Sequence, residues 1–245
     1  MPNLSFLDRG DGVRLAYRLR AGRGPTLVFL PGYMSDMEGG KAVALDAWAQ
    51  ARGRAMLRLD YSGCGESGGR FEDGTLEIWR DDVLALIDRL TQGPLILVGS
   101  SMGGWLMLLV ALARIERVAA LVGIAAAPDF TDWGFSGSKR ATLRRDGRLE
   151  EPSLYADQPS VTTLGFWESG MRNLLLDAEI PLDCPVRLLH GQGDADVPWE
   201  MSLNLAERLR SADVQTMLVK DGDHRLSRER DIALLCRTVE ALLET

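Results

Sequence analysis

The apolar positions along the chain fall into two kinds of run that alternate from end to end. Short, nearly uninterrupted apolar stretches at residues 26–30, 55–60, 95–98, 118–125, 185–190 and 214–219 have the length and composition of strands buried on both faces. Between them, residues 40–52, 75–90, 102–114, 200–210 and 227–243 predict helices. The clearest is 75–90, where Leu76, Trp79, Val83, Leu86, Ile87 and Leu90 recur at three- and four-residue spacing with Asp and Arg opposite. Residues 102–114 are apolar almost all round, as a central buried helix would be. Near the N-terminus, residues 5–19 alternate apolar and polar side chains around Gly10-Asp11-Gly12, which predicts an antiparallel hairpin at a sheet edge. Alternating strands and helices predict an α/β fold: a mostly parallel sheet covered on both faces.

One segment breaks the alternation. Residues 129–180 mix turn residues, a charged stretch at 139–151 and spaced aromatics: Phe130, Trp133, Phe135, Tyr155, Phe166 and Trp167. Such an insertion is expected to form a small cap over the strand ends, within a single domain spanning residues 1–245. Its aromatics, with Met34, Met37 and Met102 near the loops below, would suit an apolar acyl group, and for any one aromatic a place in the cap's own core is at least as much to be expected.

The candidate chemistry sits where residues 95–98 run into Gly99-Ser100-Ser101-Met102-Gly103. A strand, a sharp turn and a helix would put Ser101 at the apex, with flanking glycines removing the Cβ atoms that block a close strand-to-helix approach. Ser100 lies off that apex. A serine hydroxyl needs a base, itself oriented by a third group. The chain has only two histidines. His190 ends an apolar strand, where a structural role is expected; His224 lies in a polar loop after the last strand and is the candidate base. Both Asp194 and Asp196 follow a strand between serine and histidine and qualify as the orienting carboxylate, while Asp223 reads as a turn residue. The oxyanion of the reaction needs two N–H donors, expected from Met102 and Tyr33.

Gly63, Gly65 and Gly68 match G-x-G-x-x-G, but turn residues follow where a nucleotide-binding helix would open, so no dinucleotide cofactor is expected. With 28 basic and 35 acidic residues the net charge is −7, which argues against a nucleic-acid partner. Three cysteines without a CxxC pair point to a reducing compartment rather than a disulfide framework or zinc site. No stretch has the length of a membrane span, and a soluble cytoplasmic protein is expected.

The segments Pro31-Gly32-Tyr33-Met34-Ser35-Asp36-Met37, Asp60-Tyr61-Ser62-Gly63, Gly99-Ser100-Ser101, Cys184 to Gly191 and Asp223-His224-Arg225 resemble the α/β-hydrolase superfamily. Within it they are similar to the palmitoyl-protein thioesterase and acyl-glucuronide esterase branch of the α/β-hydrolase-domain proteins and its bacterial relatives. The resemblance implies cleavage of S-acyl groups or acyl esters without metal or cofactor, with Ser101, Asp194 and His224 as the catalytic residues. The expected partner is a small-molecule acyl ester or thioester, or an S-acylated protein. A short-acyl carboxylesterase and a non-catalytic binding module on the same fold are the alternatives.

Overall fold

The computed structural model describes residues 2–152 and 159–244. The chain opens with the antiparallel pair β1 (Ser5–Asp8) and β2 (Arg14–Arg20) at one sheet edge. Then β3 (Arg23–Leu30), α1 (Gly40–Ala51), β4 (Arg54–Leu59), α2 (Leu76–Leu90), β5 (Leu95–Ser100), α3 (Met102–Ala113) and β6 (Val118–Ile124) alternate as the periodicity predicts. After the segment that interrupts the pattern come β9 (Val186–Gly191), α7 (Glu200–Arg208), β10 (Val214–Val219) and α8 (Glu229–Leu243). Among the described residues these strands form one eight-stranded sheet in the order β1-β2-β4-β3-β5-β6-β9-β10, parallel from β4 onward.

Strand periodicity sorts the core into two layers. Val28, Leu30, Leu57, Leu59, Leu95 and Leu97 face α2 and α3, and the intervening Leu27, Phe29, Met56, Ile96 and Val98 face α1 and α8. A one-residue slip in register would carry each set to the wrong layer, so the buried faces fix the pairing. The helix α2 is capped by Thr75, whose Oγ1 accepts from the Ile78 N–H at 3.2 Å.

From β3 the chain passes through α1 to β4 on one side, then crosses back through α2 to β5 on the other. The loops leaving β3 and β5 therefore diverge and open a crevice at the carboxyl ends of neighbouring strands, where α/β sheets place their ligands.

The interrupting segment contains elements whose boundaries the pattern does not reveal: α4 (Phe130–Trp133), α5 (Gly137–Asp146), the hairpin β7 (Arg148–Glu151) with β8 (Ser160–Thr163), and α6 (Leu164–Arg172). Asp129 ties its two ends together. Its buried carboxylate accepts the N–H groups of Leu175, at 2.9 Å, and Leu176, at 2.8 Å.

Candidate active site

Ser101 stands between β5 and α3 with φ 54° and ψ −121°, a backbone conformation that a side-chain-bearing residue adopts only when its surroundings impose it. Those surroundings are the glycines. A Cβ on Gly99 would lie 2.3 Å from the Gly103 carbonyl oxygen, one on Gly103 2.1 Å from the Leu30 oxygen, and one on Gly104 2.5 Å from Ala126 Cβ. The turn can therefore close only with glycine at all three positions. The Ser101 N–H donates to Ile124 O at 2.9 Å, and its own carbonyl accepts from Gly104 and Ala127. Ser100, by contrast, is buried within β5.

Three side chains from separate loops meet at this point. Ser101 Oγ lies 3.1 Å from Nε2 of His224, and Nδ1 of His224 lies 2.8 Å from Oδ2 of Asp194. A carboxylate oxygen only accepts, so Nδ1 carries the ring hydrogen, and Nε2, which carries none, accepts from the serine. The other oxygen of Asp194 accepts the N–H groups of Asp196, at 2.8 Å, and Val197, at 2.9 Å. Burial on its own would raise the Asp194 carboxyl, but the hydrogen bonds from His190 and His224 outweigh it and hold the group well below the usual carboxylate range. This geometry separates the two aspartates: Asp194 is buried and faces His224, whereas Asp196 is exposed at the cavity rim. Asp223 accepts the Leu226 N–H at 2.9 Å, the turn role expected of it.

Asp194, Asp196 and His224 also bring three potential metal-ligating atoms within 4.8 Å of one another. A cation there would displace the hydrogen that orders His224 against Asp194.

Tyr33 and Met102 flank the serine. A Cβ on Gly32 would stand 3.4 Å from Ser101 Cβ, so the loop after β3 passes directly over the elbow. Among the described residues no acceptor engages the N–H of Tyr33 or of Met102. The Tyr33 hydroxyl donates to Val161 O at 2.7 Å, and its ring packs on Phe71, Trp79, Phe130 and Phe166. The loop after β3 is thereby pinned to the β7/β8 hairpin. Beside Ser101 lies a cavity of about 220 Å³ whose apolar wall includes Phe130, Trp133 and Phe135.

The cavity wall sorts the aromatics and methionines between lining and packing. Phe166 is buried against Tyr33 and Trp79, and Trp167 against Phe135 and Leu143, so both fill the packing behind the wall. Of the three methionines only Met102 lines the cavity. Met34 is exposed, and Met37 is drawn inside because Asp60 accepts its N–H at 2.7 Å while Arg58 donates to its carbonyl at 2.7 Å. Tyr155 lies outside the described residues. The glycine loop after β4 serves the chain's own carboxylate: Asp60 Oδ2 accepts the Glu66 N–H at 2.9 Å, and a Cβ on Gly65 would meet that oxygen at 2.2 Å.

This serine elbow at a switch point between parallel strands has counterparts of known sequence. A family model for the alpha/beta hydrolase fold matches residues 25–160. The chain belongs to the α/β-hydrolase family. It is 43% identical over 246 residues to the human protein named palmitoyl-protein thioesterase ABHD10, mitochondrial, covering 99% of this chain and 80% of that protein. Among solved structures, mouse α/β-hydrolase domain-containing protein 10 superposes with a TM-score of 0.92 at 42% identity, covering 99% of this chain and 98% of that one. A putative hydrolase from Agrobacterium vitis matches equally well in shape, TM-score 0.92, at 38% identity over 99% of this chain and 98% of that chain.

One participant escapes the sequence reading. His190 is buried, as a structural residue would be, yet its Nε2 lies 3.1 Å from the same Asp194 oxygen that His224 uses. The signal was the four-residue spacing of His190 and Asp194 across a turn, which brings the two side chains back together.

Proposed function

We propose that this α/β-hydrolase cleaves acyl thioesters or carboxylic esters through an acyl-serine intermediate, with Ser101 as nucleophile, His224 as general base and Asp194 as its orienting group. The observation that carries the reading is the 3.1 Å contact between a serine held at positive φ and an imidazole whose other nitrogen is occupied by a carboxylate. Nε2 of His224 takes the Oγ proton as oxygen attacks the carbonyl carbon, and the carbonyl electrons move onto oxygen. The Tyr33 and Met102 N–H groups stabilise that oxyanion. Collapse expels the thiolate or alkoxide, which takes the proton from His224, and leaves Ser101 acylated. Water, deprotonated by His224 in turn, releases the acid and restores the serine. Asp194 stays ionised throughout and stabilises the imidazolium.

The relatives named as palmitoyl-protein thioesterases support a thioester of an acylated cysteine as the substrate class, and Phe130, Trp133 and Phe135 beside Ser101 support an apolar acyl group. A short-acyl carboxylesterase is the second reading, favoured by the cavity of about 220 Å³, which is small for a palmitoyl chain. We take residues 129–180 as a cap within one domain spanning 1–245, supported by the Asp129 tie between its ends and by its share of the cavity wall. Among the described residues no helix is long and apolar enough to cross a membrane. The cytoplasmic compartment is proposed from cysteine usage, against the mitochondrial label of the mammalian relatives, and fractionation of the native host decides it.

A fluorophosphonate probe tests the nucleophile. The wild-type protein is expected to be labelled at Ser101 alone, because an activated hydroxyl attacks phosphorus as it does a carbonyl. Labelling that persists in Ser101→Ala would remove the assignment. A panel of acyl thioesters and oxygen esters of matched chain length then separates the two readings.

A further inference from the structure

His190 ends β9 with its side chain wholly buried, and every polar atom of its ring is engaged. Nε2 lies 3.1 Å from Asp194 Oδ2 and 3.1 Å from the Val197 carbonyl oxygen. Neither oxygen carries a hydrogen, so Nε2 carries it and donates to both. Nδ1 lies 2.7 Å from Oγ of Ser202, on α7, and with the ring hydrogen on Nε2 it accepts the serine O–H. The resulting chain of contacts runs from Ser202 through His190, Asp194 and His224 to Ser101.

We propose that His190, with its tautomer fixed by Asp194 and the Val197 carbonyl and its ring held by Ser202, is a positioning residue for the general base. The proposal rests on the reading of Ser101, His224 and Asp194 as the catalytic set. Two physical consequences follow from one carboxylate oxygen serving two imidazoles. First, Asp194 accepts two N–H groups on Oδ1 and two on Oδ2, which fills the four lone-pair directions of a carboxylate and leaves its rotor one seat. Second, the oxygen facing His224 shares its charge with His190, so it stabilises the His224 imidazolium less than an unshared carboxylate would. The other charged groups nearby are Asp196, with a carboxylate oxygen within 4.8 Å, and Asp223 and Arg225 on the His224 loop, where Lys41 of α1 donates to the Arg225 carbonyl. None of these touches the ring of His190.

Because the chain holds only two histidines, imidazole ¹⁵N labelling gives two ring systems that are directly separable. The long-range ¹H–¹⁵N spectrum of the full-length protein is expected to show His190 as the Nε2–H tautomer and His224 as the Nδ1–H tautomer. His190→Phe keeps the ring volume and removes the donor. With a thioester substrate it is expected to lower kcat on the order of tenfold, the worth of one hydrogen bond to a charged group, with KM within about twofold. The acid limb of kcat/KM is expected to move to higher pH, since Asp194 freed of His190 holds the His224 imidazolium more firmly. His190→Gln, which can return an N–H to the same oxygen, is expected to restore the limb. A purely space-filling His190 would leave the limb where it is. If His190→Phe does not fold, Ser202→Ala serves: loss of the O–H donated to Nδ1 weakens the Nε2–H bond to Asp194 and is expected to shift the limb in the same direction. The Nδ1–H tautomer for His190 in the wild-type protein, or an unmoved limb in a folded variant, overturns the proposal. Should the wild-type protein neither label nor hydrolyse, the catalytic reading fails, and with it a positioning role, while the tautomer spectrum still reports the His190–Asp194 contact by itself.

Discussion

Replacing Asp194 by Asn would set an amide against four donors that now meet a carboxylate. The amide nitrogen has two places to go. Toward Asp196 and Val197 it would face two backbone N–H groups that cannot turn away, now at 2.8 and 2.9 Å from the oxygen. Toward the imidazoles it would face rings whose hydrogens can move, so that is the orientation expected. His224 then has to present a bare Nδ1 to the amide N–H and carry its hydrogen on Nε2, the nitrogen 3.1 Å from Ser101 Oγ. In that tautomer it donates to the serine and cannot accept from it. The corresponding Asp→Asn change in Ser-His-Asp proteases lowers kcat by about 10⁴, roughly 5.4 kcal/mol at the barrier. A loss of that order is expected here, with the variant folded and its KM little altered.

Asp196→Asn is the internal control. Its side chain is exposed, and the contact it lends to Asp194 comes from its backbone N–H, which the substitution leaves intact. A loss below about tenfold is expected, in keeping with a surface change away from the reacting atoms. Steady-state kinetics on one acyl thioester, with circular dichroism to confirm folding, ranks the pair. The opposite ranking would refute the reasoning. The same substitution has a stability signature. Hydrogen bonds hold the folded Asp194 carboxyl below its unfolded value, so their stabilisation is present above about pH 4, where the unfolded carboxyl is ionised, and fades as pH falls through the folded value. The gap in unfolding free energy between wild type and Asp194→Asn should therefore narrow on acidification.

Gly103→Ala would drive a methyl to 2.1 Å from the Leu30 oxygen, so urea unfolding should show a loss of at least about 1–3 kcal/mol along with lost probe labelling at Ser101. Tyr33→Phe removes the hydroxyl that donates to Val161 O and should cost about 1–3 kcal/mol for the orphaned carbonyl, while activity should persist because the backbone N–H proposed as the oxyanion donor is untouched. Burial lowers Lys41 to about 8, so the folded protein sheds that proton before the unfolded chain does, and stability should rise with pH from about 8 toward the ordinary lysine value near 10.4; the rise should be absent in Lys41→Met. Medium-chain acyl thioesters should exceed acetyl in kcat/KM by at least about tenfold, since roughly two methylenes buried at 0.8 kcal/mol each suffice, and Phe130→Ala should shrink the ratio; acetyl as the best of the series would favour the short-acyl reading.

How much of this was legible in the sequence depends on whether a feature is written in local spacing. The core strands and their helices were, because each strand buries alternate residues in two layers and each helix repeats its apolar stripe. Leu95 to Ser101 is the clearest instance: four apolar residues, then glycines placed where any Cβ would collide. The elements of residues 130–172 were not, because α5 is largely charged, with Leu143 its one buried residue, and α4 is a single turn. Their positions come from long-range ties such as Tyr33 to Val161 and Asp129 to Leu175 and Leu176, which leave no period behind. Met37 shows the same limit: two side chains of the β4 end, Arg58 and Asp60, hold its peptide and carry it away from the cavity.

The aspartate pair shows how tertiary context decides what spacing leaves open. Asp194 and Asp196 lie two residues apart in one loop and have the same chemistry, so either could orient a histidine when the loop is read as a string. Folding breaks the tie through the backbone. The turn after β9 aims the N–H groups of Asp196 and Val197 at one oxygen of Asp194, and that fixed seat turns its second oxygen toward His190 and His224. Asp196 thus meets Asp194 through its main chain, while its own carboxylate stays at the exposed rim of the cavity. The distinction predicts that Asp196 tolerates any residue able to keep the turn but resists proline, which would remove an N–H from Asp194. Asp196→Pro should approach Asp194→Asn in its effect on kcat, whereas Asp196→Ala should stay close to wild type. Equal losses in the proline and alanine variants would show that the carboxylate of Asp196, rather than its N–H, is what the site uses.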